Sequence, residues 1–135
     1  MKKLSLLVIP VVFMIFFSCG KDEDTPFTLL TERTWVSDSL LVNGQNAGNP
    51  GQLLENFNGE VNFNKNGTGS FGSYTGTWRF AQNETQIIIT TTELPLPLTT
   101  EIEVLTRTDL KVNTAFPDPE NAGVTLIIRM TFKAK

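Results

Sequence analysis

The chain has 135 residues, of which 40% are hydrophobic and 19% charged, with a formal net charge of −3. This composition suits one globular domain. The sequence contains no histidine and a single cysteine, which excludes both a disulfide framework and a Cys/His zinc site within one chain. No basic stripe is present, so we predict no nucleic-acid partner. We also predict no metal and no cofactor.

Residues 1–18 predict a signal peptide. Two lysines precede an apolar run over residues 4–17, which is shorter than the ~20 residues that a membrane-spanning helix needs. The small residue Ser18 then precedes Cys19. This arrangement resembles the signal of bacterial lipoproteins, and the resemblance implies acyl chains on Cys19 that anchor the protein to a membrane. The alternative is an ordinary signal peptide or an uncleaved anchor.

Residues 19–26 predict the lipidated cysteine and an acidic tether. Lys21 is followed by Asp22 and Glu23, which resembles the surface-export signal of lipoproteins from Bacteroidota. The resemblance implies a lipid-anchored protein of the outer membrane that faces the cell exterior. The alternative is a plain acidic tether on a protein that faces the periplasm.

The domain, residues 27–135, is predicted to begin with one helical turn that Thr25 caps and that runs through Leu30. Residues 34–42 predict the first strand. The segment 43–52 (NGQNAGNPGQ) predicts a polar loop that contributes no residue to the core.

The stretch that follows predicts a β-hairpin. A two-residue Asn-Gly turn would place Phe71 on the face opposite Val61 and Phe63. A three-residue loop, 65–67, with Gly67 left-handed, instead sets Val61 opposite Phe71 and keeps the three apolar residues on one face. We therefore predict the three-residue loop.

Two further strands follow the hairpin. One carries Trp78 and Phe80, and residues 86–92 are rich in β-branched side chains, which favours a strand without assigning its faces. Pro95 and Pro97 exclude a central strand, because proline cannot donate to the ladder. The segment around them predicts an edge or a crossing between strands.

The last third of the chain predicts three strands and a long loop. Residues 99–107 and 110–114 predict strands, 113–123 predicts a loop and 124–133 the closing strand. The alternation over 99–107 predicts inward Thr100, Ile102 and Val104 and outward Glu101, Glu103 and Arg107. The inward face of the closing strand is predicted to carry Leu126, Ile128, Met130 and Phe132.

Four short motifs resemble the lipocalin-like lipoprotein domains of Bacteroidota. They are Thr34–Trp35 in the first strand, FNKNGT over 63–68, GTW over 76–78 and LTRTDL over 105–110. The resemblance covers about residues 27–133. It implies an all-β fold, a small antiparallel up-and-down β-barrel of the calycin type, in agreement with the short strands at close spacing.

Two positions depart from lipocalins proper. Arg33 stands where lipocalins carry a glycine, two residues before the first-strand tryptophan. Lipocalins also pair that tryptophan with an arginine from the last strand. Arg129 is the matching residue in the sequence, but the alternation places it on the outer face.

Catalysis is the weakest of the functional hypotheses. Glu101 and Glu103 share a strand face at roughly 6.6 Å, a separation found in glycoside hydrolases. Two acids on one strand do not flank a bond from opposite sides, however, and Arg107 offers an ion-pair partner. We predict a protein that is not an enzyme, with a carboxylate-dependent glycan hydrolase as the remote alternative.

The remaining candidates are aromatic side chains and loops. The aromatic residues either fill the core or line a cavity for a small apolar ligand: Trp35, Phe71, Tyr74, Trp78 and Phe80. Loops 43–52 and 113–123 are the candidate surface for a protein or glycan partner. We predict a binding or assembly module of the cell envelope, with a carrier of a small apolar ligand as the alternative.

Overall fold

The computed structural model describes residues 24–135. The predictions for the signal peptide, Cys19, Lys21, Asp22 and Glu23 lie outside the described residues. The first element is a short helix, α1 (Pro26–Thr31), which Thr25 caps by accepting a hydrogen bond from the backbone N–H of Thr28. The predicted helical turn is therefore confirmed.

The described chain otherwise consists mainly of strands. In chain order they are β1 (Trp35–Val42), β2 (Gln45–Asn46), β3 (Glu60–Phe63), β4 (Thr68–Phe71), β5 (Tyr74–Ala81), β6 (Gln86–Thr91), β7 (Leu98–Leu105), β8 (Asp109–Pro117) and β9 (Thr125–Ala134). A 3-10 turn, Glu55–Phe57, precedes β3. Pro95 and Pro97, predicted to lie at an edge or in a crossing between strands, are in the connection between β6 and β7.

The strands form a closed barrel. Each strand from β3 to β8 pairs antiparallel with the next along the chain, and β9 returns to β1 over almost the whole length of β1. Strand β1 also meets β3, with Trp35 opposite Val61. Strand β2 only extends the end of β1 as a short hairpin. The predicted all-β, lipocalin-like up-and-down barrel is therefore confirmed, as eight strands with one additional strand.

The central hairpin has the predicted register. Val61 pairs with Phe71 and Phe63 with Gly69, which leaves residues 65–67 as the loop. Gly67 has φ +88°, a left-handed conformation that is strained for a β-branched residue. Val61, Phe63 and Phe71 are all buried in the core.

Replacing Gly67 tests this turn. Gly67→Val is expected to lower the free energy of unfolding by at least about 1 kcal/mol. An added Cβ would meet only the carbonyl oxygen of Trp78, at 3.8 Å, so the cost is conformational rather than steric. The measurement is the urea midpoint, and Gly67→Asn should cost less because asparagine tolerates this region. An unchanged midpoint for the valine variant would contradict the turn.

Strand β7 departs from simple alternation. Ile102 pairs with Val112, but Val104 pairs with Lys111, so Glu103 is an extra residue in a β-bulge. The bulge reverses the faces that follow it. Leu105, not Val104, therefore packs against the core, and the predicted inward position of Val104 is wrong. Thr100 is buried as predicted, and its hydroxyl donates to the carbonyl of Ile87.

The predicted loop 113–123 is wrong in its first half, because β8 continues through Pro117. Thr114 is buried and its hydroxyl donates to the carbonyl of Thr99, while Phe116 pairs with Leu126. The connecting loop is 118–124. Strand β9 has the predicted inward face, with Leu126, Ile128, Met130 and Phe132 buried.

The segment 43–52 also contributes more than predicted. Gln45 and Asn46 form β2, and Ala47 is buried in the core. The backbone of Ala47 donates to Leu40 and accepts from Leu54. The prediction that this loop adds nothing to the core is therefore wrong, because hydrogen bonds to β1 hold it against the barrel.

The connections divide between two ends of the barrel. The helix end comprises α1 and the turns 64–67, 82–85 and 106–108. The loop end comprises 43–59, 72–73, 92–97 and 118–124. These two names are used below.

Candidate functional site

The helix end is closed around Trp35, the tryptophan of the first strand. Its indole is fully buried and its Nε1 donates to the carbonyl of Leu30 at 3.1 Å. The Arg33 guanidinium lies 5.9 Å from the centre of the indole ring, a cation–π distance. Arg33 also donates to the carbonyl of Leu29 at 2.9 Å. Arg33, which stands where lipocalins carry a glycine, thus contacts the indole of Trp35 from the side of α1.

Trp78 completes this closure. Its Nε1 donates to the carbonyl of Asn64 at 2.9 Å, and its ring lies 5.2–6.1 Å from three aromatic rings, those of Phe27, Phe63 and Phe80. The pairs with Phe63 and Phe80 are edge to face, a geometry that stabilises a core beyond its buried area, and the Phe27 ring is tilted by 30° against the indole. Phe27 comes from α1, so the helix packs directly on the aromatic cluster.

The barrel interior is filled with side chains. It holds a void of about 10 Å³, enough for about one water molecule. Phe71 lines this void, and Trp35 and Trp78 are buried in the same core, while Phe80 and Tyr74 are partly buried and pack against it. These aromatic residues leave no interior space for a lipid-sized ligand in the described part of the chain, since ligand pockets typically measure about 300–1,000 Å³.

The 3-10 turn closes the loop end. Phe57 is buried and lines the interior void. Its ring meets Tyr74 edge to face at 5.2 Å, and the Tyr74 hydroxyl accepts a hydrogen bond from Asn56 at 3.0 Å. Tyr74 therefore holds the 3-10 turn, which plugs the loop end of the barrel, and does not line an open ligand cavity.

Outside this plug lies a small apolar crevice of about 40 Å³. Its lining comes from the 43–59 loop and from the ends of β5 to β9: Leu53, Leu54, Phe57, Tyr74, Leu94, Leu98, Phe116 and Ile128. Leu53 is 43% exposed. The crevice is therefore bordered by solvent at Leu53.

A wider groove adjoins the crevice and joins the two predicted partner loops. It has a volume of about 330 Å³ and lies between Gly51–Leu53 on one side and Asp118–Glu120 on the other. Leu53 lines both the groove and the crevice. Loops 43–52 and 118–123 thus form one surface, whereas residues 113–117 belong to β8.

The loop end is acidic. Its segments carry Glu55, Glu93, Asp118 and Glu120 and contain no lysine or arginine. In the part of the chain that the structure describes, the ion-paired acids lie elsewhere: Asp24, Glu32, Glu60, Glu103 and Asp109.

Hydrogen bonds lower the pKa of two of these carboxyls. The side chain of Asn121 donates to Asp118 at 3.0 Å and lowers the pKa of the Asp118 carboxyl. The hydroxyl of Thr91 donates to Glu93 and lowers the pKa of that carboxyl. Both are therefore negatively charged at neutral pH.

This acidic and apolar surface was not predicted from the sequence. Its signal was present, since the loops hold exposed leucines and four acids without a basic residue. Chain order alone does not show that three separate segments meet at one end, however. The closed topology supplies that information.

The carboxylate pair of β7 lies on the outer wall. Glu103 accepts from Arg129 at 2.8 Å and from Asn113 at 2.7 Å, and Glu101 accepts from Gln86. Arg107, the predicted partner, instead binds Asp24 at 2.9 Å. Neither glutamate lines the void, crevice or groove described above. Arg129 has the predicted outer position.

Within residues 24–135, no group of three or more acidic, histidine or cysteine side chains is arranged to hold a metal ion. No helix of this range is long and apolar enough to cross a membrane.

No protein-family model matches the chain and no curated protein matches it significantly. The likeness to lipocalin-like lipoproteins therefore stays a prediction, while the barrel fold rests on the structure.

Proposed function

We propose that the protein is a lipid-anchored, non-enzymatic binding module of the cell envelope that engages a protein partner through the loop end of its barrel. The observation that carries the proposal is the contrast between a filled interior, with a void of about 10 Å³, and a loop end at which an apolar crevice and the groove between the two loops meet at Leu53. A module of this kind recognises its partner on its surface.

The position of Asp24 supports this arrangement. Asp24 is bound to Arg107 at the helix end. Cys19 precedes Asp24 by five residues, which span at most about 18 Å. A lipid on Cys19 would thus hold the helix end near the bilayer and direct the loop end away from it. Lys21, Asp22 and Glu23 would select the cell surface for this anchored protein.

Lipidation is tested by metabolic labelling. The wild-type protein is expected to take up labelled palmitate, and Cys19→Ala is expected to take up none, because Cys19 carries the only thiol of the chain. Absence of label from the wild type would contradict the anchor.

The partner surface is tested by photo-crosslinking in intact cells. A photoreactive residue at Gln52, in the groove, is expected to give a discrete adduct. Gln82 is the matched control, because it is also an exposed glutamine but lies at the helix end. Equal adducts from both positions, or an adduct from Gln82 alone, would contradict binding at the loop end.

A further inference from the structure

We propose that the loop end docks an extended, cationic peptide segment of a partner protein, with one aliphatic side chain in the crevice and lysine or arginine side chains over the acidic groove. This proposal rests on the proposed function, since it names the chemistry of the partner for the same surface.

The size of the crevice selects the anchor. At about 40 Å³ it is far smaller than the ~300 Å³ at which small-molecule pockets begin. Its walls are apolar, with Leu53 exposed and Leu94 and Phe116 partly buried. A recess of this kind accepts the end of one aliphatic side chain, in the way that interface pockets accept a single buried anchor.

The groove supplies room for the peptide around that anchor. It begins at Leu53, which is shared with the crevice, and Gly51 contributes no side chain to the wall that it forms with Gln52 and Leu53. Asp118 and Glu120 lie on the other wall. An aliphatic residue in the crevice would thus have its neighbours along the chain beside two carboxylates.

Charge complementarity identifies these neighbours as basic. The loop end carries four acids and no lysine or arginine, and none of the four is held in an ion pair by the described residues. The acids do not converge as metal ligands do, so a spread of positive charge along a partner fits them better than one cation. An anionic membrane surface would be repelled by the same charges.

Fluorescein-labelled heptapeptides test the proposal with the full chain in nanodiscs of zwitterionic lipid. The probe peptide carries Lys-Leu-Arg between glycine and serine residues. Its three matched controls carry Gln-Leu-Gln, Lys-Gly-Arg and Glu-Leu-Glu. Fluorescence anisotropy is expected to show saturable binding of the first peptide, weakened at least about 5-fold by loss of the basic residues or of the leucine. Raising NaCl from about 50 mM to about 500 mM should weaken it further.

Variants locate the binding. The double variant Asp118→Asn/Glu120→Gln is expected to weaken binding of the Lys-Leu-Arg peptide at least about 5-fold and to leave binding of the Gln-Leu-Gln peptide unchanged. Leu53→Gln should weaken every peptide that contains leucine. Glu84→Gln removes a carboxylate at the helix end, in the turn 82–85, and should change nothing.

The outcomes separate this inference from the proposed function. Equal binding of the basic and neutral peptides, or no binding of the basic peptide, overturns the cationic partner. In either case a crosslink at Gln52 would still support the loop end as the binding surface. Loss of that crosslink would overturn the loop end as a binding surface. Binding that persists in the Asp118/Glu120 variant also overturns the inference, because the charge would then act elsewhere.

Discussion

Replacing Trp35 with alanine is expected to lower the free energy of unfolding by about 3–5 kcal/mol. The indole is fully buried, and its Nε1 hydrogen bond joins β1 to the carbonyl of Leu30 in α1. Truncation would leave a void at the closed helix end and an unpaired buried carbonyl. The loss is a large share of the ~5–15 kcal/mol that stabilises a domain of this size.

Chemical denaturation followed by far-UV circular dichroism measures this effect. Trp35→Phe serves as the matched control, because it keeps most of the ring volume while removing the N–H donor, and it should cost clearly less than alanine. A cost below about 1 kcal/mol for Trp35→Ala would mean that the indole faces empty or wet space, which contradicts a filled barrel.

The second large effect is expected at Gly76, in the GTW motif. A Cβ at this position would lie 2.0 Å from the carbonyl oxygen of Thr90, because the backbones of β5 and β6 approach closely where Gly76 pairs with Thr91. Gly76→Val must separate these strands. We expect a loss of at least about 3 kcal/mol, at the upper end of overpacking costs.

The neighbouring threonine provides the control. Thr77→Val places the same side chain one residue later, on an exposed position of the same strand, and should change stability by about 0.5 kcal/mol or less. Both variants are compared by thermal unfolding. Similar midpoints for Gly76→Val and the wild type would contradict the close approach of the two backbones.

The sequence predicts the parts of this fold in which one face is continuously apolar. The inward face of β9 and both the face and the register of the β3–β4 hairpin are right, since a slip of one residue would move Val61 or Met130 out of the core. The bulge at Glu103 could not be predicted, because it arises from pairing with β8. The extension of β8 to Pro117 is hidden for a similar reason, since Thr114 finds its partner, the carbonyl of Thr99, only across the sheet.

The candidate site divides in the same way. The aromatic residues could be identified from the sequence as core or ligand lining, but the choice between these depends on how tightly Trp35 and Phe71 pack in three dimensions. The loops were identified as a partner surface from their polarity. Their acidic side chains and the apolar residues Leu53 and Phe116 form one surface only because the closed barrel brings loop 118–124 beside residues 51–53.

Titration with a fatty acid tests most directly whether the barrel is filled. Trp35 and Trp78 are the two tryptophans of the chain, so fluorescence quenching reports on the space beside them. Residues 24–135, which contain every strand described above, are titrated with a quencher-labelled fatty acid at micromolar concentration. We expect no saturable quenching, because the void of about 10 Å³ admits no acyl chain. Saturable quenching that Trp78→Ala abolishes without unfolding the protein would contradict the filled barrel and indicate a carrier of apolar ligands.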